Sequence, residues 1–267
     1  MTLREYLRQV ISRQPYYVQH LMHRIILTIR FGGITFTCPF CRRHWRKMLA
    51  AGRESEVYKR YSVPAAGLRK NNVCPNCYSN DRERSLYLFL TTKKLISPDS
   101  IIVHIAPEKN LGAILQNTII NNYVSAEIAF GEGMVQMDIT MLPLKDKCCN
   151  LILCNHVLEH VPNDRRAMRE LCRILKSKGK AIIQVPFAPT LQKTKEDLSI
   201  NNSRLQEKRF GQEDHVRLYG RDYITRLVNA GFIVESNAVH QLWEKNVIKK
   251  YALAKQEIIF YCTKKEQ

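Results

Sequence analysis

The sequence lacks three features that would set it apart from ordinary globular proteins. No apolar run approaches the roughly 20 residues that a membrane-spanning helix needs, and there is neither an internal repeat nor a low-complexity tract. The hydrophobic fraction of 45% is that of a chain with a packed core. The 267 residues are enough for one α/β domain and a smaller module.

Acidic residues are scarce relative to basic ones, which gives the chain a formal net charge of +18. The excess is uneven: residues 1–100 carry 18 Lys and Arg against 6 Asp and Glu, whereas residues 101–267 carry 24 against 18. Such a field attracts nucleic acid, anionic lipid headgroups or phosphorylated substrates. A solvated basic surface without a partner is the alternative interpretation.

The first residues also lack the apolar core of a secretory signal, since Arg4, Glu5, Arg8 and Arg13 interrupt it. Nine cysteines without such a signal are typical of a reducing compartment, where thiols bind metals more often than each other. We therefore expect a cytoplasmic protein that uses some of its cysteines as metal ligands.

An amphipathic helical segment is predicted over residues 1–33. Thr2-Leu3-Arg4-Glu5 is a capping-box pattern, and Pro15 ends the first helix. A second apolar stripe then continues as far as Gly32-Gly33. The segment is expected to dock on the protein's own body or on a second copy, and peripheral contact with a membrane surface is the alternative.

Residues 34–97 contain two Cys-x-x-Cys pairs, Cys38 with Cys41 and Cys74 with Cys77. Two residues between thiols let both sulfurs reach one tetrahedral ion, and four thiolates complete a structural zinc site. Four buried thiols without metal, or a redox dithiol, are the alternatives. Because four protein ligands leave no position for a substrate, the zinc would organise a recognition module rather than take part in catalysis.

Residues 98–267 alternate strands and helices in the manner of an α/β domain. The clearest unit runs from Cys149 to Phe187: an apolar strand, a helix capped by Asn163 or Asp164 and ended by Gly179, and a second apolar strand. Such a β-α-β unit belongs to a parallel sheet and opens a ligand crevice at the strand ends. The predicted strands are 101–106, 122–128, 134–138, 149–155, 180–186, 232–238 and 256–262.

The same unit carries a family resemblance. Residues 156–186 read HVLEHVPNDRRAMRELCRILKSKGKAIIQVP, which resembles the middle of a class I S-adenosylmethionine-dependent methyltransferase. The similarity is greatest to a bacterial branch with LEHV and R-x-LKPGG, and it covers about residues 100–263. It implies a doubly wound, seven-stranded, mostly parallel sheet with an antiparallel final strand, S-adenosylmethionine as cofactor, and a preceding zinc module as an accessory.

The cofactor turn departs from the family pattern. The family has a Gly-x-Gly turn after the first strand, whereas this chain has His104-Ile105-Ala106-Pro107-Glu108, an H-x-APE turn that resembles the branch with zinc knuckles. The resemblance assigns His104, Ala106 and Glu108 to the cofactor. Ala106 is expected to supply the small residue, and Glu108 to meet the ammonium group of the cofactor.

Other residues at the ends of the strands are predicted to complete the cofactor site. Glu127 follows Glu108 by 19 residues, the position at which an acidic side chain accepts both ribose hydroxyls. Asp138 and Ile139 resemble the pair that contacts adenine in the family. Asn155 follows the fourth strand, beside the expected methyl group.

The acceptor side is predicted to involve His156, Asp214 and His215. An Asp-His pair can take a proton from a hydroxyl or amine, or it can cap the helix that begins near Arg221. Residues 156–160 also spell H-x-x-E-H, an inverted zinc-protease pattern, but that site needs a helix and Pro162 leaves no room for one. Glu159 and His160 are then expected to orient the loop.

The sequence leaves the acceptor open among three hypotheses. A glycan or other small polar molecule is favoured by the resemblance, and the expected reaction is methylation of its oxygen or nitrogen. RNA is favoured by the basic charge and the zinc module. The missing glycines favour a third hypothesis, a methyltransferase-like binding module without activity.

Overall fold

The computed structural model of the protein describes residues 16–129 and 133–266. The helix predicted ahead of Pro15 lies outside these residues. The N-terminal part contains α1 Tyr16–Phe31, β1 Gly32–Thr37, β2 His44–Trp45, β3 Leu49–Ala51, α2 Glu56–Arg60, β4 Arg69–Val73 and α3 Asp81–Thr92. Two antiparallel pairs, β1 with β2 and β3 with β4, form the body of this module.

The end of α1 packs on the cysteine module. Leu27 and Phe31 are buried in one cluster with Trp45 and Met48, and α1 gives way to β1 at Gly32, where the sequence predicts the stripe to stop. Ile29, on the same predicted stripe, is 78% exposed. The C-terminal turns of α1 therefore dock on the protein's own body through part of their apolar face.

The remaining chain forms a seven-stranded sheet in the order β12-β13-β9-β8-β5-β6-β7. Every pairing in it is parallel except those of β13, which is antiparallel to both neighbours. This confirms the predicted fold class. The elements are β5 Ile102–Ile105, α4 Lys109–Thr118, β6 Tyr123–Glu127, β7 Val135–Gln136, β8 Cys149–Asn155, α5 Asp164–Ile174, β9 Leu175–Gln184, β10 Lys195–Glu196, α6 Ser203–Phe210, β11 Arg217–Leu218, α7 Asp222–Asn229, β12 Phe232–Ala238, α8 Val239–Leu242, α9 Lys245–Lys250 and β13 Ile258–Lys264.

The strand boundaries differ from the prediction at one end of the central unit. β8 has the predicted bounds, and Asn163 caps α5 by accepting from the Arg166 amide. However, α5 ends at Ile174 rather than at Gly179, and β9 begins at once. Cys149 pairs with Leu175 and Leu151 with Lys180, so residues 176–179 bulge out of the sheet. Gly179 therefore lies in this bulge of β9 and not, as the sequence predicts, at the end of a helix.

Helices cover both faces of the sheet. The cores of α5 and α7 pack on one face, where Leu171 and Leu227 are fully buried. On the other face α3 and α4 pack together, with Leu90 and Leu111 fully buried. Since α3 comes from the N-terminal module, that module is part of the layer that covers the sheet. Within the described residues, no helix combines the length and apolarity required to cross a membrane.

Candidate active site at the carboxyl ends of the strands

The turn after β5 brings a small residue to the edge of the sheet. Ala106 has a φ of 50°, a left-handed conformation that few residues other than glycine adopt. Its amide donates to Ala126 O at 2.9 Å, which ties the turn to β6. Ala106 thus occupies a conformation in which the family pattern would place glycine.

His104, Glu108 and Asn155, all predicted cofactor residues, meet at the ends of β5 and β8. Glu108 Oε2 accepts from His104 Nε2 at 2.8 Å, and Glu108 Oε1 accepts from Asn155 Nδ2 at 2.9 Å. The hydroxyl of Tyr123 lies 3.0 Å from the other ring nitrogen of His104. Burial opposes ionisation of Glu108, but the hydrogen bond from His104 lowers the pKa of its carboxyl overall.

One oxygen of this network is left without a partner. Asn155 is 7% exposed, and its Oδ1 has no hydrogen-bond partner among the described residues. The carboxylate of Glu108 and Oδ1 of Asn155 therefore form an oxygen-rich edge at the ends of β5 and β8. A cationic donor such as an ammonium group suits this arrangement, because buried acceptors are costly when unpaired.

The other predicted cofactor residues lie at the ends of β6 and β7. Glu127 is the last residue of β6 and is half-buried. Asp138 lies two residues beyond β7, and its Oδ1 accepts from the Thr140 amide at 2.7 Å and from the Thr140 hydroxyl at 2.8 Å. These bonds lower the pKa of Asp138. Its neighbour Ile139 is buried.

The loop after β8 begins with a strained residue. His156 has a φ of 57°, and its amide donates to Gln184 O at 2.8 Å. Its Nε2 accepts from Arg82 Nη1 at 3.1 Å, so Nδ1 carries the proton and faces Glu159 Oε1 at 3.4 Å. Residues 157–163 form turns and irregular backbone and contain no helix, whereas the inverted zinc-protease pattern requires one.

A buried arginine holds this loop. Arg217 in β11 is fully buried and donates to the carbonyl oxygens of Leu158 at 2.6 Å and Pro162 at 2.8 Å. It also donates to Val161 O. The loop that presents His156 is therefore fixed by a charged group that has no exposure to solvent.

Asp214 and His215 do not form the predicted pair with each other. Asp214 Oδ2 lies 3.2 Å from Nδ1 of His160 instead. His215 is 1% exposed, and its Nδ1 lies 3.3 Å from the hydroxyl of Tyr58. Burial lowers the pKa of His215 to about 4, so its ring is neutral at pH 7. The backbone turns at Asp214, so the side chains of Asp214 and His215 point to different neighbours. For this reason the predicted Asp-His pair does not form.

A cavity of about 340 Å³ is lined mainly by residues of the N-terminal module, together with Gly211 and Gln212 from the segment that follows α6. Tyr58, which contacts His215, and Arg82, which contacts His156, both line it. Gly211 has a φ of 97°, and a Cβ there would lie 2.1 Å from Tyr58 Cε1. The sequence analysis missed Tyr58 and Arg82, because no local pattern signals contacts between positions 74 or more residues apart.

Glu83 is a third residue that was not predicted from the sequence. Its carboxylate accepts from the backbone amides of Asn110 at 2.9 Å and Leu111 at 3.0 Å, at the first turn of α4. Burial raises the pKa of Glu83. A carboxylate on these amides satisfies donors that a helix leaves unpaired at its start.

The four predicted metal ligands come together in the N-terminal module. The sulfurs of Cys38 and Cys77 are 3.5 Å apart, and those of Cys41 and Cys74 are 3.7 Å apart. A tetrahedral zinc with Zn–S bonds of about 2.3 Å places its sulfurs about 3.8 Å apart. The hydroxyl of Ser79 lies 3.3 Å from Cys38 Sγ and 3.2 Å from Cys77 Sγ. The cluster therefore fits a zinc ion.

Comparison with known proteins identifies the sheet domain. Residues 113–183, from α4 to β9, match the family model described as "Methyltransferase domain". The seven-stranded sheet with one antiparallel strand is the fold that the sequence resemblance implies. Over residues 113–183 the chain is similar to a methyltransferase domain. This confirms the predicted enzyme class, an S-adenosylmethionine-dependent methyltransferase, and leaves the bacterial branch undistinguished.

Solved structures similar to the methyltransferase domain include an S-adenosylmethionine-dependent methyltransferase of Mesorhizobium loti, which is 9% identical, with a TM-score of 0.43 over 66% of this chain and 97% of that chain. The YcgJ protein of Bacillus subtilis is 12% identical, with a TM-score of 0.44 over 70% of this chain and 100% of that chain. An uncharacterised protein of Methanocaldococcus jannaschii is 48% identical over 54 residues, or 20% of this chain. The match spans about a quarter (24%) of that relative's length.

Proposed function

We propose that the protein transfers the methyl group of S-adenosylmethionine to an oxygen or nitrogen of a glycan or another small polar acceptor. The observation that carries the proposal is the oxygen-rich edge formed by Glu108 and Asn155 at the strand ends of a methyltransferase domain. Ligands of such sheets bind outside the carboxyl ends of the strands.

The cofactor is proposed to bind along the carboxyl ends of β5, β6, β7 and β8, and the donors and acceptors there support this position. Glu108 and Asn155 would accept from its ammonium group, and Glu127 would accept from the ribose hydroxyls. Asp138 and Ile139 would contact the adenine. When bound, the cofactor supplies an electrophilic methyl group on a sulfonium, so the protein's main task is to align an acceptor with it.

The acceptor is proposed to bind in the cavity of the N-terminal module, because two of its lining residues, Tyr58 and Arg82, contact His215 and His156. The cavity lining is rich in hydrogen-bonding groups, among them Tyr58, Arg69 and Arg82, and this suits a hydroxylated molecule better than an apolar one. His156, 30% exposed and fixed by Arg82, is the side chain that we place beside the reacting atom. A base formed by Asp214 and His215 is not part of the proposal, since the two side chains have different partners.

We further propose that the four-cysteine cluster binds one structural zinc. Four thiolates close the coordination shell, so this zinc would stabilise the module rather than take part in methyl transfer. The module then contributes Tyr58 and Arg82 to the wall of the cavity.

RNA is a second candidate acceptor, because the excess of basic residues is concentrated in residues 1–100, which contain the module. RNA binding would weaken steeply with salt as counterions compete for the phosphates. A small uncharged acceptor would show little salt dependence.

Calorimetric titration with S-adenosylmethionine and S-adenosylhomocysteine, followed by transfer of labelled methyl groups into a fractionated cell extract, tests these proposals. Label in the small-molecule fraction is expected, and label in RNA would favour the second candidate. Binding without transfer into any fraction would indicate a binding module without activity. The absence of cofactor binding would refute the proposed function.

A further inference from the structure

Three side chains near the acceptor cavity converge in a way that methyl transfer alone does not explain. One carboxylate oxygen of Glu159 and one ring nitrogen each of His160 and His215 lie within 4.8 Å of one another. We propose that these three side chains form a divalent-metal site, separate from the four-cysteine cluster.

The carboxylate of Glu159 is the strongest observation for a bound cation. Glu159 is 1% exposed, and its Oε2 has no hydrogen-bond partner among the described residues. Its Oε1 faces His156 Nδ1 at 3.4 Å, which is a long contact. A buried carboxylate with an unpaired oxygen is unfavourable, and a metal ion supplies the missing partner.

The hydrogen bonds around the two imidazoles are those of metal-bound histidines. Nδ1 of His160 lies 3.2 Å from both the backbone oxygen and Oδ2 of Asp214. Nδ1 of His215 lies 3.3 Å from the Tyr58 hydroxyl. Ligating histidines bond through one nitrogen to the metal and through the other to a carbonyl, carboxylate or similar group. The proposal therefore assigns Nε2 of both rings to the ion.

This site differs from the inverted zinc-protease pattern that residues 156–160 spell. That pattern takes both histidines of one helix as ligands, whereas here the second imidazole comes from His215, beyond α6. His156 instead accepts from Arg82. The fold thus replaces the first histidine of the pattern with one from a distant loop.

The donor set defines the class of metal. Two imidazoles and one carboxylate suit Zn²⁺, Mn²⁺, Co²⁺ or Fe²⁺, and three protein ligands leave at least one coordination position open. Tyr58 contacts His215 and also lines the acceptor cavity, so one hydrogen bond connects a proposed metal ligand with the cavity wall.

The role of the metal rests on the proposed function. An acceptor hydroxyl that binds the open position becomes more acidic, and its proton passes to water. The new oxygen–carbon bond then forms as the sulfur–carbon bond of the methyl donor breaks, which releases S-adenosylhomocysteine. The metal would therefore favour an acceptor that presents a hydroxyl group, whose acidity the ion increases.

Titration of the full chain with Mn²⁺, followed by electron paramagnetic resonance of the unbound ion, tests the site. Mn²⁺ is chosen because it prefers carboxylate and imidazole to the thiolates that hold zinc. One Mn²⁺ per chain is expected to bind, and Glu159→Gln and His160→Asn are expected to weaken binding at least about tenfold. His240→Gln, an exposed histidine on α8, is the matched control and should bind like the wild type.

His160→Asn keeps the test decisive, because the side chain of His160 is 35% exposed and its loss should leave the fold intact. Unchanged zinc content and an unchanged thermal transition would verify that. If the wild type binds no Mn²⁺, or if folded His160→Asn binds it as tightly as the wild type, the site is refuted. In that case Glu159 orients the loop through His156 alone.

A second measurement separates the metal from the proposed function. Labelled methyl transfer should increase on Mn²⁺ loading in the wild type but not in His160→Asn. Mn²⁺ binding with equal transfer in both states would overturn the role in acceptor activation. Cofactor binding that fails in calorimetry would overturn the proposed function, while the Mn²⁺ titration would still decide whether the site exists.

Discussion

Arg82 Nη1 donates a hydrogen bond to Nε2 of His156 over 3.1 Å, and thereby joins a helix of the cysteine module to the first residue after β8. Arg82 also donates to the backbone oxygen of Ala65 at 2.7 Å and pairs with Glu257 at 3.4 Å. The imidazole proposed to face the acceptor is therefore oriented by a residue from outside the sheet. The module contributes directly to the geometry of the site.

Replacing Arg82 by lysine is expected to slow methyl transfer about tenfold or more, because an ammonium cannot reproduce the forked contacts of the guanidinium. Affinity for S-adenosylhomocysteine should stay unchanged. Transfer rates and calorimetry measure the two effects. The control is Arg204→Lys, which changes an exposed arginine of α6. Equal transfer rates for both variants would show that Arg82 does not position His156.

Replacing Arg84 by methionine is expected to lower the free energy of unfolding by about 3 kcal/mol or more, since buried acceptors would lose their partner. Arg84 is fully buried and donates to five backbone oxygens. They belong to Ser79, Asn71, Asn72, Tyr251 and Ala252. Denaturant unfolding measures the loss.

The matched control for Arg84 is Arg204→Met, which removes an exposed arginine and should change stability by less than about 0.5 kcal/mol. A similar small effect for Arg84→Met would mean that the module and the C-terminal segment do not depend on this residue for their contact.

Replacing Glu127 by glutamine is expected to weaken binding of S-adenosylhomocysteine about tenfold, because a neutral amide is a poorer acceptor for two ribose hydroxyls. Calorimetric titration gives the dissociation constant. Glu235→Gln, an exposed carboxylate in β12, serves as the control. Unchanged affinity in Glu127→Gln would remove Glu127 from the proposed cofactor site.

Replacing Glu170 by glutamine is expected to make stability less dependent on pH. Arg173 donates to both oxygens of Glu170 at 2.8 Å, and this lowers the pKa of the carboxyl below its ordinary value of 4.5. A carboxyl with a lowered pKa in the folded state stabilises the fold above its ordinary pKa and loses that effect as the pH falls through the lowered value. At pH 7 the variant should be about 1–2 kcal/mol less stable.

The difference between wild type and Glu170→Gln should decrease as the pH falls below 4.5, because the wild-type carboxyl becomes protonated as the pH passes through its lowered pKa. Thermal unfolding at pH 7 and at about pH 3 measures the two differences. A constant difference at both pH values would indicate that packing, not the ion pair, accounts for the loss.

Replacing Cys74 by serine is expected to remove one zinc per chain and to destabilise the module, because binding of the metal contributes directly to folding. Elemental analysis and thermal unfolding measure both effects. Cys148→Ser is the matched control, since Cys148 is a free cysteine that directly precedes β8 and is not one of the four clustered cysteines. Equal zinc content in the two variants would refute the proposed zinc site.

The sheet was predictable because its signals are local. Apolar runs give β8 and β12 their predicted bounds, and Asn163 caps α5 through a hydrogen bond within its own first turn. The paired cysteines likewise place two thiols on each turn. A local signal gave a wrong boundary where it competed with sheet pairing. Gly179 predicted the end of a helix, but Leu175 pairs with Cys149, so that β9 begins directly after α5.

The acceptor side could be predicted only in part because its contacts are distant in the sequence. His156 was identifiable from its place after a buried strand. However, Tyr58 meets His215 across 157 residues, and Arg82 meets His156 across 74. Asp214 and His215 are adjacent in the sequence, which suggests that their side chains interact. In the structure, however, Asp214 contacts His160 and His215 contacts Tyr58.

The carboxylate of Glu83 on the first amides of α4 bears on how the protein can be divided. A chain cut between residues 97 and 98 would lack Glu83. The first N–H groups of α4, the helix that follows the cofactor turn, would then lose their hydrogen-bond acceptor. The cut would also uncover the sheet face on which Leu86 and Leu90 lie. We therefore expect that residues 98–267 do not fold stably on their own, and that any shortened version must keep α3.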